Sequence, residues 1–445
     1  MPDAADGKAT SSTPFPLAPS QRGLFFAQQI SPEVPYTIAQ YVDIRGPLDF
    51  DVLVAAADRA SRELLSPGLV IIDRDGEPYQ VVDPTIEDAL RYRDFRACSD
   101  PVEAARRYMV ERSSRPIDLY RDRLISAEAL QVADGRYFWL SVAHHLVLDG
   151  HGAMTLMNRV AELYTHAIRG TEAPRSKAAD LRELYAAEDA YRASARFESD
   201  RTYWAQRVAH LPEPARLTDR AGPTRVPPRH VRHEMTLELL GHVDAAAGRW
   251  NTTAVPIVMA AFAAFLARMT GQLDIVLSLP VAVRTTAVAK RSGGTLANVV
   301  PIRVQVEPTA AAETLVRQIQ AEITGALRHQ RYRYEDMYRD MTGMSAGSAG
   351  FGPIVNIMLF HREIVLGDVT GEYNVLSTGP VEDLSMSIYP GIPPHRLRID
   401  FEANPFRYES DELERHHDRF LRYLETFTTA SPDMAIGDHP ILRVP

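Results

Sequence analysis

The sequence predicts an α/β chain of mixed sheets arranged in two lobes. Three observations carry this. Period-two apolar segments alternate with helix-period stripes in both halves of the chain. The length of 445 residues exceeds what one ordinary core covers. Midway, a polar stretch over 171–200, rich in Ala, Arg, Glu and Lys, leads into proline clusters at Pro212 to Pro214 and Pro223 to Pro228. The expected boundary is near residue 180, giving lobes over 15–180 and 181–445. Met1 to Pro14, rich in Ala, Ser, Thr and Asp, reads as a disordered tail.

The first lobe opens with a strand over Tyr36–Arg45. Gly46-Pro47 ends it, and a helix follows over Phe50–Leu64, with Val52, Leu53, Ala56, Ala57 and Ala60 near helical spacing. Leu69–Asp73 and Tyr79–Val82 flank Asp75-Gly76, a hairpin signal. A helix is expected over Val102–Arg112. Leu124–Leu130 and Arg136–Val142 form a second hairpin around Asp134-Gly135. The segment Phe138–Gly152 then runs from strand into a tight turn and on into a helix over Ala153–Ile168. Met154, Met157, Val160, Ala161, Tyr164 and Ile168 make one face of that helix, and Gly170 stops it.

The second lobe repeats the alternation. A helix spans Thr253–Thr270, and a strand over Asp274–Leu279 ends at Pro280. Another strand covers Pro301–Val306. Leu315, Ile319, Ile323 and Leu327 stripe a helix over Ala310–His329. A Gly- and Ser-rich loop occupies Gly343–Gly352. Strands at Pro353–Phe360 and Leu397–Glu402 precede a closing helix over Asp411–Phe427.

Composition excludes several classes. The net charge of −9 offers no basic face for nucleic acid. The single cysteine, Cys98, rules out an internal disulfide framework and any CxxC metal site, and fits a cytoplasmic compartment. No apolar run reaches membrane-spanning length, so no membrane partner is expected. There is no GxxxxGK[ST] phosphate loop, so any acyl group must arrive already activated.

The chemistry concentrates in Ala143-His-His-Leu-Val-Leu-Asp-Gly, that is His144, His145, Asp149 and Gly150. Two His, three free positions and Asp-Gly arise by composition on the order of once in a thousand chains of this length. Strand parity sends His144 to one face with Phe138, Leu140 and Val142, and His145 to the other. One imidazole is then structural, and the other is offered to a cavity as a proton acceptor. Gly150 leaves room for a substrate approaching the histidine. Asp149 reads as a structural carboxylate, with Arg284 as its expected bidentate partner. Adjacent strand residues rarely bind one ion, so no metal is expected at this pair. Elsewhere the residues carry less. His416-His417, within Glu412-Leu-Glu-Arg-His-His-Asp-Arg-Phe, reads as a solvated helix face. His151 and His166 read as structural. Gly343-Met-Ser345-Ala-Gly347 matches GxSxG but lacks the strand and helix of a nucleophile elbow.

The motif and its surroundings resemble the condensation domains of nonribosomal peptide synthetases, within the chloramphenicol-acetyltransferase-like superfamily. The resemblance runs from Leu17-Ala-Pro-Ser-Gln-Arg-Gly-Leu, where Ser20, Gln21 and Leu24 match, through Ala143 to Gly150, Tyr203-Trp204, Pro280 to Arg284, Asn298 to Arg303 and His329 to Asp336, to Asp383-Leu384-Ser385. It departs at Ser61-Arg62-Glu63, where the family usually has Arg-His-Glu. His144 argues against heterocyclization domains, and His151-Gly152-Ala153 against epimerization domains. The resemblance implies two chloramphenicol-acetyltransferase-like lobes in a V-shaped pseudo-dimer, with a floor segment near 281–301 and a crossover near 371–390. It implies His145 as the catalytic or positioning residue, Asp149 paired with Arg284, and Asn298, Ser385 and Ser387 along the substrate channel. No bound cofactor is implied. The resemblance implies a donor, and an acceptor where it is carrier-bound, presented on the phosphopantetheine of a peptidyl or acyl carrier protein.

The expected reaction moves an acyl or aminoacyl group from that thioester to an amine or hydroxyl acceptor, in natural-product biosynthesis. With no Leu-Gly-Gly-x-Ser carrier signature and no adenylation motif in the sequence, a free-standing enzyme is the expectation, with a domain cut from a synthetase as the alternative. The alternatives are an acyl-CoA-dependent acyltransferase and a non-catalytic recruiting domain of the same fold.

Overall fold

The computed structural model describes residues 13–83, 90–225, 227–341, 351–359, 363–391 and 397–440. Most of the expected tail, and the GxSxG stretch with Ser345, lie outside the described residues. The chain divides into two compact units. The first comprises Met1–Arg192, Arg284–Leu296 and Arg362–Gly379; the second comprises Ala193–Val283, Ala297–His361 and Pro380–Pro445. The first unit runs to Arg192, past the expected boundary near residue 180. The polar stretch over 171–200, which reads as linker and connecting helix, holds the helix Leu181–Arg192 and the start of the helix Ala195–Val208. Two later segments, Arg284–Leu296 and Arg362–Gly379, also belong to the first unit.

The first unit is built on a six-stranded sheet. Its order is Ile364–Leu366, Val369–Thr378, Thr37–Arg45, Arg136–His144, Ile125–Ala133, Arg91–Asp94. Neighbours are antiparallel except the last pair, which is parallel. The Asp75-Gly76 hairpin forms as expected, with both residues at positive φ, 58° and 85°. Helices Phe50–Leu64 and Gly150–Ile168 bury Leu53, Ala56, Ala60, Leu64, Met157, Val160 and Ala161 in one cluster with Val42, Ile44 and Trp139 of the sheet. Small residues on the first helix let the two helices pack closely.

The second unit carries another six-stranded sheet. Its order is Asn298–Gln305, Asp274–Val281, Ile354–Ile357, Leu384–Pro390, Leu397–Ala403, Arg229–Glu234. Pairing is parallel on both sides of Ile354–Ile357 and antiparallel elsewhere. The Asn298–Gln305 strand starts three residues before the expected Pro301. A proline is tolerated there because this is an edge strand, where a missing N–H leaves no ladder partner wanting. Helix Ala254–Thr270 is buried along most of its length. Its Phe262 and Phe265 pack edge-on against Phe420 of the closing helix Ser410–Thr429, and Phe262 also meets Phe401 of the sheet. Among the described residues no single helix is long and apolar enough to cross a membrane.

The closing helix corrects one expectation. His416 and His417 are buried, at 6% and 0% exposure, rather than solvated. Charged residues flank them in sequence, yet the helix turns both rings toward Tyr408 and Phe401. A residue-by-residue polarity reading misses this, because consecutive helical residues lie only about 100° apart and can share a buried face.

Candidate active site

The Arg136–His144 strand ends at the first histidine of the motif. His144 is fully buried. Its Nδ1 accepts from the Leu146 N–H at 3.0 Å, which places its proton on Nε2. Nε2 then donates to Gln28 Oε1 at 3.0 Å. The Gln28 amide is fixed in turn by donating to the carbonyls of Ser31, Pro32 and Val34. Burial, with His145 alongside, lowers the His144 pKa from 6.5 to about 3. This imidazole is neutral, with both nitrogens committed to holding the turn.

His145 is different. Its backbone N–H donates to the Tyr36 carbonyl at 2.7 Å, so the residue is anchored through the main chain. Its ring is half-buried, and Nδ1 has no hydrogen-bond partner among the described residues. Burial lowers its pKa, outweighing the Asp149 carboxylate that pulls the other way. Gly379, at φ +109°, passes beside the ring: a Cβ there would stand 3.9 Å from His145 Cδ2. The positive φ favours glycine at that position.

Asp149 organises the turn. It caps the helix Gly150–Ile168, its Oδ1 accepting from the Gly152 N–H at 2.7 Å. The helix therefore begins at Gly150, three residues earlier than expected, as an aspartate N-cap dictates. The expected partner is in place: Arg284 Nη2 reaches Asp149 Oδ1 and Oδ2 at 2.8 and 2.9 Å, with side-chain exposures of 6% and 1%. Asp149 Oδ2 also accepts from the Leu296 N–H at 2.8 Å, and Arg284 Nη2 donates to the Gly294 carbonyl at 2.8 Å. Burial alone would raise the Asp149 pKa. The guanidinium and the two N–H donors outweigh it and hold the carboxylate below its ordinary value.

Three partners here escaped the sequence reading. His151, expected to be structural, has its Nδ1 accepting from Arg284 Nε at 3.2 Å, and burial beside that cation keeps it neutral. Gly152 stands so close to the 284–296 segment that an added Cβ would lie 2.3 Å from the Gly293 carbonyl oxygen. The Tyr185 hydroxyl is buried without a partner among the described residues, and a Cβ on Gly294 would lie 3.2 Å from it. The glycine pair Gly293-Gly294 was the available signal. Val283, just before Arg284, holds φ +53°, a strained conformation for a β-branched residue.

The first unit thus brings together His144, His145, Asp149, Gly150 and Arg284. Asn298, Ser385 and Ser387 lie in the second unit. Asn298 Nδ2 donates to the Gln330 and Tyr332 carbonyls at 3.0 and 2.7 Å, and its Oδ1 accepts from the Tyr334 N–H at 2.9 Å. Ser385 and Ser387 alternate along the Leu384–Pro390 strand, both buried. The arrangement supports acyl transfer: a neutral, half-buried imidazole on a turn clamped by a buried ion pair.

Comparison with known proteins agrees. The condensation domain family model matches residues 11–442. The dimodular nonribosomal peptide synthase of Bacillus subtilis is 31% identical over 99% of this chain, and the isonitrile lipopeptide synthase of Streptomyces coeruleorubidus 34% identical over 98%. The chain spans only 18% and 30% of those two proteins. Among solved structures, the first condensation domain of the calcium-dependent antibiotic synthetase, in complex with a substrate analogue, is 31% identical with a TM-score of 0.88. That match covers 97% of this chain and all of the other. A starter condensation domain of rhizomide synthetase, in complex with C8-CoA and Leu-SNAC, is 31% identical with a TM-score of 0.90, over 97% of this chain and 98% of the other. With the family model spanning nearly its whole length, the chain belongs to the condensation domains, acyltransferase-type enzymes that form amide bonds in nonribosomal peptide synthesis and work on phosphopantetheine-linked substrates of carrier proteins.

Proposed function

We propose that this chain transfers an acyl or aminoacyl group from a phosphopantetheine thioester to an amine, with His145 at the reacting atoms. The neutral, half-buried ring of His145, beside the clamped turn, carries the reading. The amine lone pair adds to the thioester carbonyl carbon. The tetrahedral adduct then expels the thiolate, and the proton lost by nitrogen ends on sulfur. A neutral imidazole can orient that amine and accept its proton on the way. His144, Asp149 and Arg284 position the turn, and Gly150 keeps the approach clear. Asn298, Ser385 and Ser387 are assigned to the substrate channel. A hydroxyl acceptor is far less acidic than an ammonium ion and needs a base as the C–O bond forms.

A carrier protein is the proposed donor partner. An acyl-CoA donor is the second reading, favoured by the rhizomide starter domain holding C8-CoA. Both donors end in the same thioester arm. Mass spectrometry of acyl transfer separates them. Wild type and His145→Ala each receive an acyl-loaded carrier or an acyl-CoA, with amine and hydroxyl acceptors. Product that needs the carrier and His145 supports the first reading, and equal transfer from CoA alone supports the second. Partner binding with no product from any donor would instead point to a recruiting domain.

A further inference from the structure

We infer that His233, His417 and Asp418 form a divalent transition-metal site, best suited to Zn2+, at the edge of the second unit's sheet. One ligand atom from each lies within 4.8 Å of the other two. His417 is the built part. It is fully buried, and its Nε2 lies 2.8 Å from the Ile399 carbonyl oxygen. A carbonyl only accepts, so Nε2 carries the proton and Nδ1 bears the lone pair. That Nδ1 is buried and has no partner among the described residues. A metal-binding imidazole is held in the same way, one nitrogen donating to a backbone carbonyl and the other left to the ion.

The surroundings orient the ring. Phe401 meets it edge-on at 5.0 Å, and the His233 ring lies 5.2 Å away. His233 sits on the edge strand Arg229–Glu234, paired with Ile399, the residue that fixes the His417 tautomer. His233 and Asp418 are exposed, so an ion can enter and keep water as a fourth ligand. Two imidazoles and one carboxylate favour zinc over magnesium or calcium. Donors around tetrahedral zinc stand roughly 3.3 Å apart, so the two exposed side chains would close on His417 to bind the ion. The ion would tie the edge strand to the closing helix. This site belongs to the second unit and the His144-His145 motif to the first, and the inference does not depend on the reading of that motif.

The test uses the whole chain stripped of metal with chelator. Zn2+ titration by calorimetry should give one equivalent bound, and Zn2+ should raise the melting temperature. Co2+ should bring visible d–d absorption of a tetrahedral site. His233→Ala and Asp418→Asn change exposed residues and should leave the fold intact by circular dichroism. Each should weaken Zn2+ binding by at least about tenfold and abolish the melting shift. No binding by wild type at micromolar Zn2+ would overturn the inference. So would binding that both variants leave unchanged, which would put the ion elsewhere.

Discussion

The chain holds two His-His dipeptides, one in each unit, and they are used in opposite ways. In the first unit the pair sits where a strand ends. His144 turns inward and commits both nitrogens, while the His145 ring stays half-buried, its Nδ1 without a partner among the described residues. In the second unit the pair lies in mid-helix, and both rings are buried. A strand sends neighbours to opposite faces, whereas a helix separates them by only about 100°. The same dipeptide therefore presents one ring at a strand end and none to bulk solvent on the helix. The backbone period, more than the residue type, decides which histidine is available for chemistry.

Substitutions break that contrast by different amounts. The largest effect is expected at His145. His145→Ala should lower kcat/KM by about 10²–10⁴ with little change in the denaturation midpoint, because the ring is only half-buried and its Nδ1 has no partner among the described residues. A hydroxyl acceptor should suffer more than an amine; equal losses with matched acceptors would count against proton transfer by this ring. Since burial lowers the His145 pKa, the acid limb of kcat/KM should fall below the ordinary value of 6.5. Arg284→Met acts on the support instead. It removes the cation that faces the buried Asp149 carboxylate, and should cost about 3–5 kcal/mol in denaturant unfolding. Gly152→Ala drives a methyl group into the Gly293 carbonyl oxygen and should cost about 1–3 kcal/mol. A wild-type midpoint in that variant would mean that the close approach is not needed for the clamp.

The motif and the alternation of strands and helices were legible in the sequence because each rests on local periodicity or on an unusual run of residue types. Arg284, 135 positions from Asp149, was expected as its partner because a planar cation matches a carboxylate and because the family resemblance implies the pair. What was not legible depended on contacts distant in sequence. The Val369–Thr378 strand, which pairs with Thr37–Arg45, is polar and glycine-containing, with no clean period-two pattern. Gly379 reaches His145 only after that strand is in the sheet. His151 looked idle because nothing local marks it as the acceptor for Arg284. Burial of His416-His417 was hidden by the charged residues on the other face of their helix.

The smallest effect tests the two pairs together through acid. His144 has a folded-state pKa of about 3 and His416 of about 4, both lowered chiefly by burial. In the unfolded chain each titrates near 6.5. Above that value both states are neutral, and the full stability is present. As pH falls below it, the unfolded chain takes up protons that the folded chain refuses, so stability declines. The slope reaches about 1.4 kcal/mol per pH unit for each such histidine, until the folded pKa is met. Asp149 acts with the same sign in a lower window, since an unfolded aspartate binds its proton only near pH 3.9. Urea unfolding compared at pH 6 and pH 5 therefore reads mainly the histidines. His144→Gln, which retains an amide able to meet Gln28, should lose one histidine's share of that slope while keeping the rest. An unchanged slope would mean that His144 takes up its proton in the folded chain at ordinary pH, and the commitment of both its nitrogens would have to be given up.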